Sequence, residues 1–234
     1  DYVIQATNEI SCHIKDEDIV ILESTSPIGT TELVKKILNE NNKSNNFYVA
    51  HCPERVLPGN IMHELIHNPR IIGGVDNDST EATSKFYKKF VKGEILKTNS
   101  RTAEMCKLTE NSFRDTNLAF ANELSIISEE NEVNVWELIE LANKHPRVNI
   151  LNPGCGVGGH CIAIDPWFLV ASNTNSSKLI KTSKKINDSK PEWVIDKIIE
   201  LLTLSTVLLL DKPLDTTSTI TSLYTLSVFV NGLY

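Results

Sequence analysis

The chain contains 234 residues, 41% of them hydrophobic, and carries a formal net charge of -7. This size and composition predict a globular protein with one large or two small domains. The acidic balance argues against a general nucleic-acid binder, which needs a basic surface to neutralise phosphates. No apolar run approaches the ~20 residues that cross a bilayer, and the first residues lack a secretory signal, so we expect no membrane partner and a cytoplasmic location.

The five cysteines are widely spaced, form no CxxC pair and are odd in number. This pattern suits neither a disulfide framework nor a zinc site, so we expect reduced thiols and no bound metal. A disulfide between two of them, Cys155 and Cys161, is the open alternative because they are close in sequence. The others are Cys12, Cys52 and Cys106.

Short apolar runs alternate with helical patterns over the first hundred residues. We predict strands at 18–23, 47–50, 70–73 and 94–97, and helices at 30–38 and 80–90. Strands that alternate with helices predict an α/β fold with a parallel, doubly wound sheet. Such a sheet usually opens with a strand and a GxGxxG turn, which this sequence lacks, so we expect the chain to begin partway through the domain.

A single long helix is predicted for residues 100–131, which contain neither proline nor glycine. Its length of about 45 Å is more than one small domain requires, and such a helix joins two domains or pairs with a second subunit. We therefore expect a homodimer through this helix. Its predicted apolar stripe consists of Met105, Leu108, Ser112, Ala119, Leu124 and Ile127.

The rest of the chain reads as helical until the composition changes. We predict helices at 135–143, 178–187 and 192–202, the last two separated by Pro191. Residues 203–234 are rich in Leu, Thr and Ser, without Arg or Glu, so we interpret this tail as atypical and foreign to the domain. The predicted division is therefore 1–99, 100–202 and 203–234.

A glycine-rich loop at residues 152–161 ends in Cys161, and Asp165 follows four residues later. Glycine allows sharp bends and close approach to a ligand, so a thiol presented by such a loop is a candidate nucleophile. The alternative is a tight turn around a buried structural cysteine. Spacing alone leaves both readings open.

Six segments occur in a fixed order along the chain: 23–32, 52–59, 103–111, 121–124, 145–149 and 152–165. Together they resemble the UDP-glucose/GDP-mannose dehydrogenase family, most closely its UDP-N-acetylmannosamine dehydrogenase branch. The resemblance extends over roughly residues 1–200. It implies the C-terminal part of a Rossmann-like NAD domain, then a long central helix and an α-helical dimerisation and substrate domain.

The resemblance implies an NAD-dependent, four-electron oxidation of the C6 alcohol of a nucleotide sugar to a carboxylate, in the synthesis of surface polysaccharide. Cys161 matches the thiol that forms the thiohemiacetal and the thioester, and Asp165 matches the aspartate that handles protons through water. Lys107 and Asn111, four apart on one helix face, match a pair that binds substrate and stabilises the oxyanion.

Further matches concern the cofactor and the hydrolytic water. Glu54 and Thr25 match residues that position water and border the nicotinamide, and Ser24 and Pro27 belong to the same cofactor-binding loop. Taken without the resemblance, these four would be ordinary loop residues.

The substrate-binding matches are Arg147, Gly158, Gly159 and His160, with Arg147 reaching the substrate of a neighbouring subunit. His160 stands where the UDP-glucose branch has serine or tyrosine. Ile164 replaces a lysine of that branch and Pro58 a glutamate, which favours a UDP-N-acetylhexosamine. The sequence favours UDP-N-acetylmannosamine, with UDP-N-acetylglucosamine as the alternative.

Relative to the family, the chain lacks the first third of the NAD domain and the C-terminal domain, so we expect weak activity or none from this chain by itself. A non-catalytic dimerisation and substrate-binding module is the alternative from another class. A cysteine hydrolase is a third, but His160 directly precedes Cys161 and is poorly placed as its base. Alkylation of Cys161 faster than of Cys12 or Cys52 would favour the enzyme.

Overall fold

The computed structural model describes residues 2–42, 44, 46–56 and 59–210, with side chains up to residue 204. These residues fall into two compact units. The first comprises the described residues of Asp1–Asn111 and Trp167–Thr174, and the second those of Ser112–Pro166 and Asn175–Tyr234.

Four strands and eight helices make up the described chain. The strands are β1 (Ile19–Leu22), β2 (Tyr48–His51), β3 (Arg70–Gly74) and β4 (Ile95–Asn99). The helices are α1 (Tyr2–Ser11), α2 (Thr30–Asn41), α3 (Ile61–His67), α4 (Asn77–Tyr87), α5 (Ser100–Glu130), α6 (Val135–Ala142), α7 (Asp165–Ser172) and α8 (Lys178–Leu210). The predicted strands are confirmed, whereas α1, α3 and α7 are helices that the sequence patterns did not predict.

The sheet of the first unit has the order β1-β2-β3-β4, and its strands are not all parallel. β1 pairs with β2 and β3 pairs with β4 in parallel, but β2 and β3 are antiparallel. The prediction of a wholly parallel sheet is therefore wrong at its centre. Among its described residues, the segment after β2 contains one short helix, α3. Strand β3 starts beyond the end of β2 and runs back beside it, so the chain needs no crossover.

Apolar clusters lie on both faces of the sheet. Neighbouring strand residues contribute to different clusters because their side chains point to opposite faces. Val20 and Val49 pack with α2 residues Val34 and Leu38 in one cluster. A second cluster contains Ile21, Cys52, Ile72, Tyr87, Val91 and Ile95. These two cores hold the carboxyl ends of β1 and β2 in fixed positions.

The long helix α5 has the predicted length, but its buried face is more polar than the predicted stripe. Leu108, Ser112 and Ala119 are buried as expected, whereas Met105 and Ile127 are 48% exposed. Further buried positions along the helix are filled by charged, amide and hydroxyl side chains. These are Glu104, Asn111, Asp115, Asn122, Ser125 and Ser128.

The two helices predicted around Pro191 form a single helix, α8, with the proline inside it. A proline in a helix lacks the N–H that would bond to the carbonyl four residues earlier, here that of Asn187. Helix α8 continues to Leu210, so the first residues of the predicted atypical tail are helical. Residues 211–234 of that tail lie outside the described residues. Within the described chain, no helix is both long and apolar enough to cross a membrane.

Candidate active site

The loop after β1 carries three of the predicted site residues. Ser24 and Pro27 are exposed and Thr25 is half-buried. The Ser24 carbonyl accepts a hydrogen bond from the Ser26 hydroxyl at 2.8 Å, and Gly29 ends the loop with a φ of 93°, a conformation suited to glycine. The loop thus presents Ser24, Thr25 and Pro27 at the carboxyl end of a parallel strand.

Glu104 of α5 fixes the end of this loop. Its side chain is 1% exposed and accepts bonds from the Gly29 N–H at 2.6 Å and the Thr31 N–H at 2.7 Å. The Thr31 hydroxyl donates a third, at 2.6 Å. Because Gly29 has no side chain to cap α2, the carboxylate of Glu104 supplies the cap from another helix.

Glu54 follows β2 and is held by its own loop. Its Oε1 accepts from the backbone N–H groups of Arg55 at 2.6 Å and Val56 at 2.8 Å, and its Oε2 lies 3.5 Å from the Arg70 Nη1. The Arg70 side chain is 3% exposed, whereas that of Glu54 is 37% exposed. The carboxylate of Glu54 is therefore oriented by the buried Arg70 and by its own loop, and it remains partly open to solvent.

A buried polar group lies beneath these two loops. The Tyr87 hydroxyl donates to Glu23 Oε1 at 2.5 Å, and the Arg70 guanidinium lies 5.6 Å from the centre of the Tyr87 ring. Burial raises the pKa of the Cys52 thiol and that of the Tyr87 hydroxyl, so both stay protonated near neutrality. Cys52 is thus a structural thiol.

Lys107 lies on α5 between two attachments of that helix to the site loops, and Asn111 directly follows the second. Glu104 bonds to the loop after β1, and Glu110 Oε1 lies 2.8 Å from Arg55 Nη2 in the loop after β2. Lys107 is half-buried and Asn111 is 4% exposed. In the first unit, the two loops that carry Thr25 and Glu54 are therefore both bonded to α5, the helix that carries Lys107 and Asn111.

The glycine-rich segment at residues 152–161, here termed the cysteine loop, belongs to the second unit. The Gly154 N–H donates to the Asn122 side-chain oxygen at 2.8 Å. Gly156 has a φ of 122°, and a Cβ there would lie 3.0 Å from the Pro191 ring and 3.1 Å from the Asn187 carbonyl oxygen. This closeness requires glycine, as does the φ of 87° at Gly159, whereas Gly158 has open space around it.

Cys161 and Asp165 lie in one turn at the beginning of α7. The Cys161 carbonyl accepts from the Ile164 N–H at 3.0 Å and from the Asp165 N–H at 2.8 Å. Cys161 is exposed, which disagrees with the reading of a buried structural thiol, while Asp165 is 4% exposed. The Cys161 thiol is therefore presented to solvent one turn before the buried Asp165.

The remaining predicted residues of the second unit are exposed. Arg147 follows α6, and its N–H donates to the His145 Nδ1 at 3.3 Å. His160 is exposed beside Cys161. All five cysteines are free, including Cys155.

Several residues that shape the site had no role assigned from the sequence. Glu104 and Asn122 fall inside motifs that resemble the family, but the motifs did not say what these side chains contact. Arg70 and Asn187 lie outside those motifs. Their signal is a charged or amide side chain at a buried strand or helix position, which is visible only once burial is known.

Comparison with known proteins identifies the class. Residues 1–91 match the NAD binding domain of the UDP-glucose/GDP-mannose dehydrogenase family, and residues 101–189 match its central domain. The chain belongs to the UDP-glucose/GDP-mannose dehydrogenase family, a family of dehydrogenases with an NAD-binding and a central domain.

Particular relatives refine this placement. The chain is 56% identical over 208 residues to a UDP-N-acetyl-D-mannosamine dehydrogenase of Campylobacter jejuni, covering 85% of this chain and 51% of that protein. It is 52% identical over 207 residues to an NDP-N-acetyl-D-galactosaminuronic acid dehydrogenase of Ralstonia nicotianae, covering 84% and 49%. A solved UDP-D-ManNAc dehydrogenase of Pyrococcus horikoshii has a TM-score of 0.82 at 44% identity, covering 88% and 50%. The chain spans about half the length of the curated relatives it matches.

Proposed function

We propose that this chain supplies the NAD-binding and central parts of an NAD-dependent dehydrogenase that oxidises the C6 alcohol of a UDP-N-acetylhexosamine to a carboxylate. The observation that carries the proposal is the exposed Cys161 at the start of α7, one turn from the buried Asp165. The predicted boundary near residue 100 would then separate cofactor binding from the helical part. The product, a uronic acid, would serve polysaccharide synthesis in the cytoplasm.

The residues of the first unit fit NAD. Dinucleotides bind at the carboxyl ends of parallel strands, and the loops after β1 and β2 present Ser24, Thr25, Pro27 and Glu54 there. The amino end of α2 is occupied by Glu104, so the pyrophosphate must bind elsewhere. When bound, NAD accepts a hydride in each of the two oxidation steps.

The thiol accounts for the second oxidation. After the alcohol has become an aldehyde, the Cys161 sulfur adds to the carbonyl carbon to give a thiohemiacetal, and loss of hydride from that carbon leaves a thioester. Lys107 and Asn111 donate hydrogen bonds to the oxyanion. Asp165 takes up protons through water, and Glu54, oriented by Arg70, positions the water that hydrolyses the thioester.

Substrate selection is assigned to Arg147, Gly158, Gly159 and His160. We propose UDP-N-acetylmannosamine as the substrate, supported by the Campylobacter jejuni and Pyrococcus horikoshii relatives. The name of the Ralstonia nicotianae relative shows that a protein 52% identical to this chain acts on a different N-acetylhexosamine derivative. That sugar nucleotide therefore belongs in any specificity test.

The homodimer is a further part of the proposal. Phe113, Phe120 and Ile127 recur every seven residues on α5 and are 69%, 54% and 48% exposed. Side chains seven apart lie on one face of a helix, so these form an apolar stripe. A second copy of the chain, with the same stripe, is the partner that would cover it.

The test uses a chimera in which residues 1–202 replace the matching half of the Campylobacter jejuni relative. The chimera is supplied with excess NAD and, in parallel, UDP-N-acetylmannosamine, UDP-N-acetylglucosamine, UDP-N-acetylgalactosamine and UDP-glucose. Two NADH per sugar with UDP-N-acetylmannosamine alone supports both reaction and substrate. Two NADH with another sugar corrects the substrate, and no NADH from a folded chimera contradicts the function.

A further inference from the structure

The cysteine loop is anchored to a buried group of side chains between α5 and α8 that the proposed mechanism does not use. We term it the amide network: Asp115, Asn122 and Asn187, with the Gly154 N–H that Asn122 binds. Asp115, Asn122 and Asn187 are 0 to 1% exposed. Buried amides are held in one orientation when each of their ends meets a partner.

The hydrogen bonds of the network run in one direction. The Asn187 Nδ2 donates to the Asp115 Oδ1 at 2.8 Å and to the Asp115 carbonyl at 2.9 Å, so the Asn187 oxygen must face the other way. That oxygen accepts from the Asn122 Nδ2 at 2.9 Å. The Asn122 oxygen is thereby turned towards the Gly154 N–H, 2.8 Å away.

The surroundings of the network favour this arrangement. Burial raises the pKa of Asp115, whereas the bond from Asn187 and the Lys184 Nζ, 4.0 Å from its Oδ1, favour the ionised form, which can only accept. Next along the loop, Gly156 fits closely against Pro191 and the Asn187 carbonyl. The first part of the cysteine loop is therefore fixed on α5 through Gly154 and on α8 through Gly156, and the Cys161 carbonyl is bonded to the first turn of α7.

We infer that Asn122 is a positioning residue for Cys161, and that Asp115 sets its orientation through Asn187. The inference rests on the proposed function only in naming Cys161 as the reacting thiol. Asn122 does not contact the reacting atoms in this account. It fixes the path of the loop that carries the thiol, so its loss should affect the chemical step more than cofactor binding.

A charge swap tests the direction of the network in the purified chain. Asn187→Asp puts a second carboxylate at hydrogen-bond distance from Asp115, and the two repel each other. Adding Asp115→Asn restores part of the pattern, because the amide introduced at 115 donates to the carboxylate introduced at 187, which still accepts from Asn122. The bond to the backbone carbonyl of residue 115 stays lost, since a carboxylate at 187 has no donor. Asn117→Ala is the matched control, since this amide donates only to the Phe113 carbonyl of its own helix, at 2.7 Å.

The readout is hydrogen exchange of residues 152–161, which requires no activity. We expect Asn122→Ala and Asn187→Asp to speed exchange of this segment by about tenfold or more, the double variant to exchange more slowly than Asn187→Asp, and Asn117→Ala to resemble wild type. Wild-type exchange in Asn122→Ala, or a double variant as fast as Asn187→Asp with α5 still protected, would overturn the inference. If Asn187→Asp does not fold, Asn122→Ala and the double variant still decide.

A kinetic readout separates positioning from a merely structural role. In the chimera, Asn122→Ala should lower kcat at least about tenfold and leave KM for NAD unchanged. An unchanged kcat, or a KM for NAD that rises by as large a factor as kcat falls, contradicts the inference. Should the chimera make no NADH at all, the proposed function fails, while the exchange result still decides whether the network fixes the loop.

Discussion

The carboxylate of Glu104 is the point at which removal of one side chain should most damage the first unit. Glu104→Ala leaves three donors without their acceptor: the Gly29 N–H, the Thr31 N–H and the Thr31 hydroxyl. Thr31 is 0% exposed, so its two donors cannot readily bind water instead, whereas the Gly29 N–H is only partly buried. The variant also deprives α2 of the negative charge at its amino end.

The expected loss follows from the number and burial of these bonds. A hydrogen bond to a charged group contributes about 1.5–3 kcal/mol, but three bonds to one carboxylate are not additive. A buried donor left without its partner costs about 1–3 kcal/mol, so for three donors that share one acceptor we take about 3–5 kcal/mol as the expected decrease in unfolding free energy. Glu104→Gln should lose less, about 2 kcal/mol, because its amide can still accept two of the bonds.

Glu32, in the first turn of the same helix, provides a matched control. Its side chain is 45% exposed and its Oε2 lies 2.7 Å from the Arg101 Nη2. An exposed ion pair contributes at most about 1 kcal/mol, so Glu32→Ala should change stability little. The assay is urea unfolding followed by far-UV circular dichroism. A Glu104→Ala variant as stable as Glu32→Ala would refute the reasoning.

Three further predictions concern acid stability, alkaline stability and assembly. Burial lowers the pKa of His51 from 6.5 to about 4, so the unfolded state binds the proton at a higher pH than the folded state. As pH falls from 6.5 to 4, wild type should therefore lose up to about 3 kcal/mol of stability relative to His51→Leu. Parallel pH profiles of unfolding free energy for the two proteins would contradict this. Burial lowers the pKa of Lys190 from 10.5 to about 8, so between these pH values the unfolded state is protonated and the folded state is not. As pH rises from 8 to 10.5, wild type should therefore gain up to about 3 kcal/mol of stability relative to Lys190→Met. A constant stability difference between the two proteins in urea melts would argue against it. The double variant Phe113→Glu, Phe120→Glu should be monomeric in analytical ultracentrifugation. The control Met62→Glu should not be monomeric, since Met62 lies on α3, although it is 71% exposed. Unchanged sedimentation of the double variant would rule out the stripe as the interface.

Much of the first unit could be predicted because its signals are local. Apolar runs bounded by polar residues identified all four strands, and the absence of proline and glycine identified α5. Helix α4 begins at Asn77, three residues before its predicted start. The missed signal was Asp76, whose side chain caps the helix by accepting from the Ser79 N–H at 2.7 Å.

The errors arise where distant parts of the chain decide the outcome. The antiparallel pairing of β2 with β3 depends on which sheet edge the chain returns to, and a strand's own sequence does not encode this. Helix α8 continues through Pro191, although a proline favours a helix end, and the residue packed closely against its ring is the distant Gly156. Likewise the stripe predicted for α5 assumed an apolar partner, whereas α8 offers Lys184, Asn187 and Lys190.

For the site, the family resemblance supplied residues and roles, and the structure adds how they are held. It places Thr25, Glu54, Lys107 and Asn111 in the first unit. Cys161 and Asp165 belong to the second. The supporting contacts made by Glu104, Arg70 and Asn122 could not be predicted, because they join positions between 16 and 75 residues apart.

The most direct test of the central claim is the number of NADH molecules formed per UDP-N-acetylmannosamine by the chimera with and without Cys161. Cys155→Ala is the control, since Cys155 is also exposed in the cysteine loop. We predict two NADH per sugar for wild type and Cys155→Ala, and turnover reduced at least about a hundredfold in Cys161→Ala. Two NADH per sugar at an undiminished rate in Cys161→Ala would show that the oxidation does not proceed through this thiol.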